Sequence, residues 1–352
     1  MNDILTDLLA IIGVVLNGLP QGLLALAYGF ASVPTALAFL VGVVGNLATQ
    51  SVAPISFQAE TITYAGTAGK NRSERCTMIF IGGAIMTVIG LFGLLTKIVD
   101  FVGEDVAYGM MAGVGIILTK AAIDMIRNDG IAGGVSLVAA LITYFFTKDS
   151  SNTLVYTIVI SVVASCIASA IFKKNQTNIV VEDDKFIRQK FTINSSVIFG
   201  ALGMVCLNIG SNISFGGITA GMATSGNYNV DHLTVISSVA DMCSSFFGGA
   251  PVESIISATA SAPHPVWAGV IMMAVIGLIL VFKLLPKIGR YVPSSSIAGF
   301  LFVLGIFKTV IADAPLAFAS NAAAGGTAMV VTAVTNPFLG MLAGVAAKLL
   351  GL

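Results

Sequence analysis

Ala53-Pro54-Ile55-Ser56-Phe57-Gln58-Ala59-Glu60 interrupts one apolar run, and Ala250-Pro251-Val252-Glu253-Ser254 interrupts another in the second half of the chain. Each break follows a short apolar span. Each is followed by small residues, a further apolar span and a segment ending in Ala-Gly, at Ala112-Gly113 and Ala298-Gly299. Proline removes a backbone donor and a carboxylate resists transfer out of water, so neither suits a continuous membrane helix. Duplicated breaks of this kind point to a transporter built from two repeats that holds its solute between half-helices.

The rest of the composition agrees with a membrane setting. The 352 residues are 56% hydrophobic and 10% charged, with a mean hydropathy of +0.96. A span needs about 20 apolar residues, and such segments run nearly end to end. Lys+Arg and Asp+Glu balance at 17 each, which gives no support to a nucleic-acid or polybasic role. The 38 glycines fit closely packed membrane helices. Cys76, Cys166, Cys206 and Cys243 are widely spaced, with no CxxC or Cys/His ligand spacing. No disulfide framework, metal site or cofactor is therefore expected. No catalytic triad, GxGxxG or Walker motif is present, so neither an enzyme nor an ATP-driven pump is expected. The N-terminal apolar stretch lacks a basic leader and reads as the first span, not as a signal peptide.

Window hydropathy gives about fourteen spans. They lie near 7–28, 32–50, 54–66, 76–96, 104–126, 131–147, 152–172, 194–222, 231–248, 251–262, 266–285, 292–311, 316–334 and 336–352. Spans 3 and 10 (54–66 and 251–262) are too short and polar for ordinary helices, and each should combine an extended piece with a half-helix. Residues 173–192 form the longest polar segment and read as a linker between repeats at 1–172 and 193–352. Seven spans is an odd number, so the repeats must be inverted in the membrane. Chance similarity among low-complexity apolar segments is the competing explanation. The expected fold is an all-α polytopic protein of the cell (inner or plasma) membrane.

Several residues are candidates for the site. Glu253 lies just after Pro251, at an expected half-helix start whose free amides favour a carboxylate or an anionic group. Ser254 follows it. A cap on its own helix is the plainer role. Glu60 is the first-half counterpart by region, as an ion-coupling acid or a cap. Gln58 and Phe57 offer an amide and an aromatic face suited to a flat heterocycle, or simple packing. Asp241 lies inside an expected span, where an acid needs either a function, here ion coupling, or a structural partner such as a hydroxyl or backbone amide. Asn17 and Asn208 are placed in matching positions of spans 1 and 8, with Gln21 and Asn212 on the same helical faces. They would bind a polar solute or join helices. Lys120 and Asp124 are spaced to pair with each other. His232 and His264 fall in expected turns and are not expected to be ligands.

Three stretches also resemble a known family. They are Val99-Asp100-Phe101-Val102-Gly103-Glu104-Asp105 with Met111-Ala112-Gly113-Val114-Gly115; Ala240-Asp241 with Gly248-Gly249-Ala250-Pro251-Val252-Glu253-Ser254; and Arg290-Tyr291-Val292-Pro293-Ser294 through Ala298-Gly299. Together they resemble the nucleobase:cation symporters, the xanthine/uracil and guanine/hypoxanthine permeases, over residues 50–310. The resemblance implies seven plus seven spans. It also implies a core domain from spans 1–4 and 8–11 and a gate domain from spans 5–7 and 12–14. A purine or pyrimidine would bind between the half-helices of spans 3 and 10, hydrogen-bonded to Glu253. Uptake would be coupled to H+ or Na+ by alternating access, and a homodimer is the expected assembly.

The chain departs from that pattern in two places. Leu207-Asn208-Ile209-Gly210-Ser211 carries Asn and Ser where those permeases place an acid, and the Pro-Val and Glu-Ser pairs are fused. Sulfate-permease-like anion transporters share the architecture, so a small anion is the alternative substrate. An uncoupled facilitator or channel is another alternative, and a non-transporting scaffold is disfavoured by the buried acids. Orientation gives conflicting expectations. Basic residues crowd the loops at Lys70, Arg72 and Arg75, at Lys173 to Lys190, and at Lys283, Lys287 and Arg290. These loops share the side opposite the termini, which places the termini outside. The resemblance implies cytoplasmic termini.

Overall fold

A computed structural model describes residues 2–148, 153–172, 185–223, 225–289 and 291–351. Residues 173–184 of the expected linker, and Arg290, lie outside the described residues.

The first half runs α1 (Asn2–Ala27), α2 (Ser32–Thr49), β1 (Ile55–Ser56), α3 (Ala59–Ala68), α4 (Arg72–Leu91), α5 (Leu95–Val102), α6 (Glu104–Asn128), α7 (Gly130–Thr147) and α8 (Thr153–Ile171). The second half begins with α9 (Ser195–Met222), α10 (Val230–Phe246), β2 (Glu253–Ser254), a 3-10 turn (Ala258–Ser261) and α11 (Pro265–Val281). It continues with α12 (Leu284–Gly289), a 3-10 turn (Ser294–Ile297), α13 (Ala298–Val303), a π-turn (Leu304–Val310), α14 (Ile311–Ala317), α15 (Ala322–Val334) and α16 (Pro337–Leu349). Local sequence sets many of these starts. Asn71, Asp129, Asn194, Asn229, Asn321 and Asn336 each accept a first-turn amide with the side chain, the favoured way to satisfy an N-terminal donor. Pro265 and Pro337 sit at the first helical turn, where a missing amide costs nothing.

The chain divides into two compact units. Unit 1 comprises Met1–Ala25, Phe30–Phe101 and Glu182–Leu285. In it α10 packs against α4 and α2, α2 against α11, and α9 against α4 and α3. Phe39, Phe57, Ile55, Ile62, Met78 and Ile79 fill its interior. Unit 2 comprises Leu26–Gly29, Val102–Val181 and Pro286–Leu352. There α6 packs on α15, α16 and the π-turn, and α7 on α8 and α13. Ser136 ties α7 to the start of α13: its hydroxyl donates to Ser296 O (2.5 Å) and accepts from Gly299 N (3.0 Å).

Seven helices are long and apolar enough to cross a membrane, and four shorter apolar helices accompany them among the described residues. Leu9, Phe92, Phe146, Trp267 and Val334 are exposed. Large apolar side chains on the outside are stable against lipid rather than water.

Four local expectations change. Span 12 does not end near 311 but continues to Ala317. Asp313 and Pro315 lower the hydropathy there, yet proline forfeits only one backbone bond and the helix persists. The short helix α5 stands where no separate element was expected. Asp124 pairs with Arg127 at 3.5 Å rather than with Lys120. His232 lies in the first turn of α10, not in a loop.

Candidate functional site

Within unit 1 the two sequence breaks meet. β1 pairs antiparallel with β2, with Ile55 opposite Ser254 and Ser56 opposite Glu253, and all four residues are buried. Extended backbone at membrane depth survives only if protein groups satisfy its amides and carbonyls. Polar side chains that sit inside apolar spans do so here. In the first break Asn46 Nδ2 donates to Ser51 O (3.3 Å) and Ala53 O (3.0 Å), and Val52 N donates to Asn227 O (3.0 Å). In the second, Ala250 N donates to Thr35 Oγ1 (2.8 Å) and Ser244 Oγ donates to Ala250 O (2.6 Å). Val252 N donates to Asp241 Oδ1 (2.7 Å). Thr219 serves two groups, donating to Ile255 O (2.8 Å) and accepting from Ser257 N (3.1 Å). Asn46, Thr35, Ser244 and Thr219 are not among the candidates named from sequence. Their signal was available, as polar residues inside spans flanking the two breaks.

Glu253 is not at a helix start as expected. It lies in β2, and the following helical turn begins only at Ala258. Pairing with Ile55-Ser56 holds this stretch extended, and the expected second half-helix is a single 3-10 turn. Asp241, on α10, lies within hydrogen-bonding reach of Glu253. As two ionised carboxylates they would offer each other no donor, whereas a proton held by one would bridge them. Asp241 Oδ2 and both Glu253 oxygens have no hydrogen-bond partner among the described residues. The same is true of the buried hydroxyls of Ser56, Ser254 and Ser238 and of Asn212 Oδ1. Glu60 sits in the first turn of α3, buried, where free amides favour a carboxylate.

The helices beside the crossing press closely on the strands. A Cβ on Gly18 of α1 would lie 3.1 Å from Ser56 Oγ, and one on Gly216 of α9 would lie 3.2 Å from Ser254 Oγ. Asn17 adjoins Gly18, whereas Asn208 lies about two turns before Gly216. Asn208 joins helices: its Oδ1 accepts from Asn212 Nδ2 (3.4 Å), which also reaches Thr234 (3.1 Å) and Ser237 (3.4 Å) on α10. Gln21 donates to Asn17 O (3.2 Å), and Asn17 Oδ1 is buried without a partner. Phe57 is used in packing, edge-on to Phe39 at 5.3 Å and 1% exposed, so its face is not free to stack on a solute. Gln58 accepts from Thr61 Oγ1 (2.6 Å). The structure thus brings Asp241, Glu253, Ser254 and Ser56 together and leaves Phe57, Gln58 and Asn208 in structural contacts.

No protein-family model and no curated protein sequence matches the chain. Solved structures do. The transmembrane domain of the cyanobacterial bicarbonate transporter BicA aligns over 98% of this chain and 98% of its own length, at TM-score 0.69 and 15% identity. A structure of SLC26A9 aligns over 99% of this chain and 65% of its own, at TM-score 0.70 and 14% identity. The murine SLC26A9 anion transporter in the inward-facing state aligns over 99% and 68%, at 0.71 and 13%. The chain thus spans about two thirds of the SLC26A9 structures. At these identities the likeness is one of fold: an all-α, multi-pass membrane fold.

These neighbours overturn the resemblance to nucleobase permeases, since they are anion-transporter domains. The quoted motifs fall where the backbone geometry makes demands. Gly103 and Gly248 have φ of +92° and +89°, which glycine adopts freely. Pro251 precedes the β2 strand, and Gly299 receives the Ser136 hydroxyl. Such residues report the fold and not the substrate.

Proposed function

We propose that the chain is a secondary transporter of a small anion, moved by alternating access together with a cation, H+ or Na+. The observation that carries this reading is the buried Asp241–Glu253 pair at the strand crossing, in a fold shared with SLC26A9 and BicA. No lysine or arginine occurs in α1, α2, α3, α9, α10, α11 or either strand. An anion at the crossing meets two acids and no cationic side chain from these elements. A proton or a sodium ion bound by the orphaned oxygens removes that repulsion. Anion and cation then favour each other's binding, which is the thermodynamic basis of coupling. Glu60, at the amide-rich start of α3, is a second place for the cation, and Ser254 and Asn17 are polar contacts for the solute.

The same reading takes the chain as fourteen spans in two inverted repeats. The matching order in each half supports it: two helices, a strand with a short helical piece, then a further helix. The division into two units supports a core formed by unit 1 and a gate formed by unit 2.

The test is thermal stabilisation of the purified protein with bicarbonate, sulfate, chloride, uracil and xanthine, each with and without Na+ and at two pH values. A ligand at about 100 times its Kd stabilises by about 2.7 kcal/mol. One anion is expected to raise Tm, and more so with the cation present. A shift with a nucleobase and with no anion contradicts the proposal.

A further inference from the structure

We infer a binding site for an anionic phospholipid at the end of α10 in unit 1, distinct from the strand crossing. An apolar pocket of about 350 Å³ opens there between α2, α4 and α10, lined by Leu37, Leu40, Val41, Phe80, Met242 and Phe246 among others. Its lining offers no polar surface, so it suits an acyl chain and not a polar solute. The stretch from Lys185 to Asn194, which forms neither helix nor strand, runs beside it and is pinned in place. Gln189 N donates to Phe246 O at 2.9 Å, Ser73 Oγ donates to Lys190 O, and Thr192 N donates to Thr77 Oγ1 at 3.1 Å.

This pinning sets positive charge at the pocket rim. The Arg188 guanidinium lies 5.3 Å over the ring of Phe246, which itself lines the pocket. Lys190 is flanked by Phe191, whose ring packs at 4.6 Å on Phe80, another lining residue. Arg188 and Lys190 are both exposed. The one acid on the adjoining first turn of α4, Glu74, is buried and accepts from Lys70 N (3.0 Å) and Asn194 Nδ2 (3.3 Å). The acids Glu182, Asp183 and Asp184 precede the strap in sequence and lie outside the described residues. An apolar groove with an aromatic-backed guanidinium at its mouth, and a second exposed basic residue two positions along the same stretch, matches a diacyl lipid with a phosphate headgroup of net negative charge. A zwitterionic headgroup satisfies only part of that charge.

The test is native mass spectrometry of the full chain titrated with dioleoyl phosphatidylglycerol or dioleoyl phosphatidylcholine. The expected result is preferential retention of phosphatidylglycerol. Each basic side chain near a membrane surface contributes roughly five-fold, so the double variant R188Q/K190Q is expected to bind it about thirty-fold more weakly. Val41→Phe, which fills the groove, is expected to weaken both lipids. The control K283Q/K287Q removes two positive charges from the α11–α12 junction and α12, and is expected to leave retention unchanged. Equal retention of the two lipids overturns the inference. So does an equal loss in the control variant, which would mean nonspecific charge attraction.

Discussion

Glu253→Gln is expected to abolish cation-coupled transport, lowering uptake by about 100-fold or more, while leaving the fold intact or slightly more stable. The amide is nearly isosteric, so the β1–β2 pairing and the surrounding packing have no reason to shift. Its NH2 supplies the donor that the pair lacks and reaches toward Asp241, whose Oδ2 is otherwise unpartnered. A buried carboxylate without a cationic partner is costly, and replacing it by a neutral hydrogen-bonding group relieves that cost. The same replacement removes the place where a proton or sodium ion is taken up. Uptake and thermal unfolding measured on the same preparation separate the two effects. Retained uptake with unchanged cation dependence would remove Glu253 from the coupling site.

Thr219→Val is expected to be the most destabilising conservative change near the crossing. The substitution keeps the shape and removes one hydroxyl. That hydroxyl serves both Ile255 O and Ser257 N, in backbone that no helix satisfies. Leaving a buried polar group unpaired costs about 1–3 kcal/mol, so two such groups give about 2–6 kcal/mol. Thr219→Ser keeps the hydroxyl and is expected to recover most of the loss. Denaturation of the purified protein checks both variants. A Thr219→Val protein as stable as the parent would mean that the second break is held by other contacts.

The breaks themselves were legible because membrane helices tolerate few residues such as Pro54, Glu60, Pro251 and Glu253. What followed the breaks was not legible. Two-residue strands carry no periodicity, so nothing in Ile55-Ser56 or Glu253-Ser254 announces that they pair, and Glu253 was expected one element too late. The role of Asp241 was legible only as a choice between coupling and a structural partner. The structure adds that one oxygen is spent on Val252 N while the other has no hydrogen-bond partner, with Glu253 within reach of the same side chain. Phe57 and Gln58 looked like ligand groups by residue type, but burial against Phe39 and a bond from Thr61 decide their use. The substrate family was misread for a related reason. Four of the residues that carried the resemblance, Gly103, Gly248, Pro251 and Gly299, stand at positive-φ turns, just before a strand and where Ser136 meets Gly299, positions that serve the backbone and not a solute.

The most direct test of the account is uptake of a labelled small anion into proteoliposomes, with an inward Na+ or proton gradient imposed and then abolished. Accumulation above the external concentration is expected only while one of those gradients is present. Equilibration to the external concentration regardless of either gradient would contradict it and make the protein an uncoupled facilitator.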